Sequence, residues 1–158
     1  MNGNDTNRAG HPHSTAKIAT HPIHPMLVPF PIVCFIGTFI TDIMYARGLD
    51  AGWATASHWL LIVGLLMAAL AAVAGLTDYL GDERIRRLSD ALKHMLANVT
   101  VVVLELVNLV LRWNNPDFIV STGVYISGIV VLILLYSGWK GGDLVYRHGI
   151  GVHDTSNL

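Results

Sequence analysis

Four blocks of apolar residues, each about as long as a helix that crosses a bilayer, leave this chain few choices of fold. They run from Met26 to Tyr45, Trp59 to Thr77, Met95 to Leu111 and Ile119 to Trp139. A helix needs ~20 apolar residues to cross ~30 Å of hydrocarbon. The first block holds one charged residue, Asp42, the third holds Glu105, and the second and fourth hold none. A buried helix of a soluble domain seldom stays apolar beyond ~15 residues, and membrane strands alternate over only ~10. The expected fold is therefore an all-α membrane protein, an up-and-down four-helix transmembrane bundle over residues 21–153. A disordered polar tail is expected over 1–20 and a short tail over 154–158. Links at Ala46–His58, Leu80–His94 and Arg112–Phe118 are short enough to make neighbouring spans antiparallel.

Composition agrees. Apolar residues make up 53% and charged residues 13% of the chain, about half the charged share of a soluble domain. A net charge of −1 removes nucleic acid as a partner, because phosphate binding needs an excess of Lys and Arg. The single cysteine, Cys34, excludes an internal disulfide framework, a four-thiolate zinc site and covalent c-type haem attachment. The first twenty residues have no apolar core of the signal-peptide kind, so a cleavable leader is not expected there.

Basic residues orient the bundle. Arg8, Lys17, Arg84, Arg86, Arg87, Lys93, Lys140 and Arg147 fall at the end that carries both termini, and only Arg47 and Arg112 fall at the other. That asymmetry puts both termini on the cytoplasmic side of the membrane. Trp53, Trp59 and Trp113 form an interfacial belt on the outer side, with Trp139 their inner counterpart.

With this topology, residues far apart in sequence meet at one face. His21 and His24 precede the first span, Asp78 closes the second, His94 opens the third and His148 follows the fourth. A compact bundle brings His24, Asp78, His94 and His148 within reach of one another. Imidazole there ligates zinc, iron or haem, with Asp78 completing a non-haem set, or it moves protons. The alternative is that interfacial imidazoles simply bond carbonyls at helix ends. Pro22 and Pro25 stiffen the lead-in that presents His21 and His24, and His24, adjacent to the span, is the better placed.

The third span carries His94, Asn98, Glu105, Asn108 and Arg112 on one helical face. A mid-membrane acid costs a few kcal/mol, so the stripe of Asn98, Glu105 and Asn108 is expected to face the bundle interior. Glu105 is either a proton-relay group or a hydrogen-bonding partner for a neighbouring helix, and Asp42 is expected to pair with Arg112. Small residues (Gly64, Ala68, Ala71, Ala72 and Gly75; then Gly123, Ser127 and Gly128) allow close helix approach. Cys34, Met44 and Met67 read as packing residues. No internal repeat is evident by inspection.

The motif HPIHPMLVPFP, with Gly75-Leu76-Thr77-Asp78, His94 and the closing GGDLVYRHGIGV, resembles the bacterial domain of unknown function 2231 family over about residues 19–153. That resemblance implies a predicted integral membrane protein with no assigned activity. Relatives joined to Rieske or c-type cytochrome domains imply a redox setting, with His21, His24, His94 and His148 as candidate haem or metal ligands.

The functional expectation is a small b-type-cytochrome-like redox subunit holding haem b near the cytoplasmic face, with a redox-protein partner. His24 and His94 form its axial pair, and His148 is the substitute. Electron transfer across the whole membrane is disfavoured, because the outer side offers only His58. The alternatives are a zinc- or iron-binding or metal/proton-transport protein using His24, His94, His148 and Asp78, and a cofactor-free subunit of a larger complex. No nucleophile–base pair, phosphate loop or dinucleotide fingerprint supports a stand-alone enzyme.

Overall fold

The structure, a computed structural model, describes residues 16–18 and 21–151. The tail 154–158 and most of 1–20 lie outside these residues, as do His11 and His13. Ala16–Ile18 belong to the structured part. Strands β1 (Lys17–Ile18) and β2 (His21–Pro22) pair as a small antiparallel ladder, and the Ala16 N–H donates to Asp78 Oδ1 at 2.7 Å.

The first span covers Ile23–Gly48 as two segments, α1 (Ile23–Leu27) and α2 (Pro29–Gly48). Pro29 and Pro31 supply no N–H to the preceding turn, so the helix breaks at Val28 and restarts with proline in its first turn. It stops at Leu49, which is left-handed at φ 52° and whose N–H bonds Tyr45 O at 2.7 Å. Asp50 then accepts from the Gly52 N–H at 2.7 Å and starts α3, Ala51–Gly81. The expected link Ala46–His58 thus shrinks to two residues. At 31 residues α3 is about 46 Å long, well beyond the hydrocarbon it crosses.

The second link is also mostly helical. Asp82 caps α4 (Glu83–Arg86) at the Arg84 N–H, Ile85 is buried beneath it, and the Arg86 guanidinium bonds Leu80 O. Helix α5 runs Ser89–Arg112, so His94 lies in its second turn rather than at its start. After Trp113–Phe118 the fourth span opens with a π-helical turn, Ile119–Gly123, and continues as α6, Val124–Tyr146.

The four long helices form a square in cross-section. Helix α2 packs on α3 and α6, α5 packs on the same two, and α2 and α5 face each other across the diagonal. Phe35, Leu61, Ala68, Val101, Val130 and Leu134 make the apolar centre. Around them the polarity is inverted relative to a soluble protein. Asp42, Ser57, Glu105, Asn108 and Ser127 are fully buried, while Leu66, Leu132 and Trp139 are more than 60% exposed. Such an apolar exterior suits lipid, and the multi-pass membrane location follows.

The buried positions reveal a two-fold repeat. Pro31, Phe35, Thr38 and Asp42 of α2 correspond to Val101, Glu105, Asn108 and Arg112 of α5, each seventy residues later, the separation of the Asp42–Arg112 pair. Ser57, Leu61, Gly64, Ala68 and Ala71 of α3 correspond, at another constant offset, to Gly123, Ser127, Val130, Leu134 and Ser137. Hairpin α2–α3 and hairpin α5–α6 therefore bury equivalent faces about an axis running along the bundle.

Candidate functional site

Two polar centres lie on that axis, one at each end of the apolar core. At the first, α1 supplies His24 and α5 supplies His94, again seventy residues apart. The His24 Nδ1 lies 2.8 Å from Ala71 O on α3, and the His94 Nδ1 lies 2.9 Å from Ser137 O on α6. Carbonyl oxygens only accept, so in each neutral ring Nδ1 carries the proton and donates, and Nε2 keeps its lone pair. Each carbonyl sits four residues before a glycine, where the absence of a side chain lets a ring reach mid-helix backbone. A Cβ at Gly75 would lie 2.9 Å from the His24 ring, and one at Gly141 3.2 Å from the His94 ring. The two imidazole planes are perpendicular, with centres 6.1 Å apart. Asn98 Nδ2 donates to His94 Nε2 at 3.1 Å and to His94 O at 2.9 Å.

Other candidates at this end stand apart from that pair. His21 is exposed on β2, and Asp78 holds the Ala16 N–H. His148 Nε2 lies 3.4 Å from Asp90 Oδ2 and belongs to a charged clasp between α5 and α6. Lys140 joins Asp90 and Asp143 at 3.0 Å each in that clasp, and Arg147 meets Asp143 at 3.1 Å. Among the described residues, no group of three or more His, Cys, Asp or Glu side chains converges as a metal site. The expected foursome of His24, His94, His148 and Asp78 is thus not brought together, and only its imidazole pair is.

The second centre joins all four spans. Arg112 meets Asp42 in a two-pronged bridge, with Nη1–Oδ1 at 2.8 Å and Nη2–Oδ2 at 2.9 Å. Its Nη1 also donates to Ser57 Oγ at 2.7 Å, and its Nε and Nη2 donate to Asn108 Oδ1 at 3.1 and 2.6 Å. Ser57 and Ser127 donate to the two Asp42 oxygens at 2.5 and 2.7 Å. Asn108 Nδ2 donates to Glu105 Oε2 at 2.9 Å and Ser127 Oγ at 3.1 Å. Gly123 in the π-turn leaves space beside this cluster, since a Cβ there would lie 3.0 Å from Arg112 Nη2. A cavity of about 260 Å³, lined by Thr55, His58, Arg112, Trp113 and Pro116 among others, opens onto the Arg112 end. There the His58 and Trp113 rings stack edge to face at 5.0 Å.

The expected Asp42–Arg112 pair is present, and of the stripe residues Glu105 and Asn108 are fully buried while Asn98 is half-buried beside His94. Sequence reading missed Ser57 and Ser137 and took Ser127 only as a small packing residue, yet the three hydroxyls complete the two centres. Their only signal is a hydroxyl, within an apolar block for Ser127 and Ser137 and in the link before one for Ser57, which helix packing alone also explains. The model of one protein family, described as "Predicted membrane protein (DUF2231)", matches residues 20–154. No curated protein and no solved structure matches the chain.

Proposed function

We propose, for a chain that belongs to the DUF2231 family of predicted membrane proteins, a role as a small redox subunit that holds haem b between His24 and His94. The observation that carries this reading is the pair of imidazoles drawn from diagonal helices to the bundle axis. With metal–nitrogen bonds of about 2.0 Å, two imidazoles that hold one metal would have their centres about 6 Å apart. The ring centres of His24 and His94 are separated by 6.1 Å, a spacing that supports this reading. Their Nδ1 bonds to backbone carbonyls are the outer-shell contacts that orient ligating histidines and raise their basicity. With the group held there, Asn98 would release His94 Nε2 and keep its bond to the His94 carbonyl. Haem held there by His24 and His94 would supply a one-electron couple.

The reading sets the imidazole pair and both termini on the cytoplasmic side of a bacterial inner membrane. Its support is the concentration of Lys and Arg at that end. A single haem near one face calls for a redox-protein partner at that face.

The absorbance spectrum of detergent-purified protein tests the proposal. A Soret band that shifts on reduction is expected, lost in His24→Ala and His94→Ala while both variants still insert in the membrane. His21→Ala and His148→Ala keep it. Unchanged haem content in His94→Ala removes that residue from the site. Colourless protein with stoichiometric zinc or iron supports the non-haem metal alternative, and colourless, metal-free protein supports a cofactor-free subunit of a larger complex.

A further inference from the structure

We infer that Glu105, in the middle of the bundle, is a binding site for one exchangeable proton. Every other polar atom around it is satisfied. Arg112 has five N–H donors, and all five are used by Asp42, Ser57 and Asn108. Asp42 accepts four bonds, two from Arg112 and one each from Ser57 and Ser127, which fills its lone-pair sites. Both Asn108 amide hydrogens are taken, by Glu105 Oε2 and Ser127 Oγ. Glu105 Oε1, in a side chain with no exposed surface, has no hydrogen-bond partner.

Charge balance points the same way. The charged groups acting on Glu105 are Asp42 of α2 and Arg112 of α5; α2 also carries Cys34 and Tyr45, and α3 carries His58 at the cavity end. Helix α6 contributes only the outward tyrosines Tyr125 and Tyr136 before Lys140 at the opposite end. One guanidinium therefore faces two carboxyls in a low-dielectric interior. The sum is zero only when one carboxyl holds a proton, and an unpaired buried charge is strongly unfavourable. Asp42, with four donors, is the ionised partner, and Glu105, with one, is the neutral acid. Its Oε2 accepts from Asn108, so Oε1 bears the hydrogen. The cavity lined by Arg112 reaches the edge of the network and is the route by which the proton would exchange. None of this depends on a haem at the other end.

Infrared spectroscopy of the full chain in lipid nanodiscs reads the site directly. At neutral pH, where solvent-exposed Asp and Glu are ionised, one carboxylic-acid C=O band is expected that shifts in D₂O and disappears in Glu105→Gln. The wild-type protein alone tests the presence of the band, should the variant fail to fold. Absence of any carboxylic-acid band, a band unchanged in Glu105→Gln, or one that does not move in D₂O overturns the inference.

Discussion

Gly75 and Gly141 each stand four residues after the carbonyl that an imidazole reaches, and their tolerance to a methyl group differs for a measurable reason. An added Cβ at Gly75 meets the His24 ring at 2.9 Å, closer than carbon contacts allow, whereas at Gly141 the nearest ring atom is at 3.2 Å. Alanine gains ~1 kcal/mol of helix propensity over glycine at either position. Overpacking costs ~1–3 kcal/mol, so Gly75→Ala is expected to be destabilising by thermal unfolding in detergent and Gly141→Ala close to neutral. Equal effects would show that the rings do not rest on these glycines. The imidazoles themselves were legible as candidates, because histidines flanking apolar blocks are conspicuous. Their partners were not, since Ala71 O and Ser137 O are backbone atoms that no residue type announces. His148 and Asp78 were grouped with the pair because they end up at the same face. Nearer ion-pair and backbone partners hold them instead, Asp90 for His148 and the Ala16 N–H for Asp78.

The elements are longer than hydropathy marks them. Residues 51–58 are too polar to count as part of a span, yet they continue α3, because a helix needs internal hydrogen bonds rather than lipid. What starts α3 is Asp50, whose carboxylate takes the Gly52 N–H at 2.7 Å. Replacing an Asp N-cap by Ala costs ~1 kcal/mol, and Asp50→Ala is expected to lose about that amount in chemical unfolding of the solubilised protein. No loss would mean that packing of Ser57 and Leu61 alone fixes the start of the helix. Leu49 occupies the left-handed position that Gly48, one residue earlier, would fill at no steric cost. The π-turn at Ile119–Gly123 carries no sequence mark either, and it lies where Gly123 packs against Arg112.

At the level of the whole molecule, the two hairpins are related about the bundle axis, and residues at equivalent positions meet on it: His24 with His94, and Asp42 with Arg112. The repeat is invisible by inspection because equivalent positions hold unlike residues, as Phe35 with Glu105 and Thr38 with Asn108. It makes a specific prediction. Asp42→Arg or Arg112→Asp alone leaves like charges buried and should cost at least ~3–5 kcal/mol, the range for breaking a buried pair. The double exchange restores the ion pair but sets the guanidinium beside Thr38 and Gly123 instead of Asn108 and Ser57. Partial recovery is therefore expected in thermal unfolding, and no recovery would show that those hydrogen bonds rather than the ion pair hold the centre. Apolar blocks of ~20 residues are enough to dictate membrane helices and their number, since the transfer free energy of a segment is close to a sum over its residues. Runs of Lys and Arg argue for orientation by the same additive logic. Which polar groups share a centre is not additive. It turns on helix rotation and diagonal pairing, set by how side chains from four helices interlock. Only the folded bundle therefore distinguishes the His24–His94 pair from the other histidines at that end, and isolates Glu105 from every spare donor.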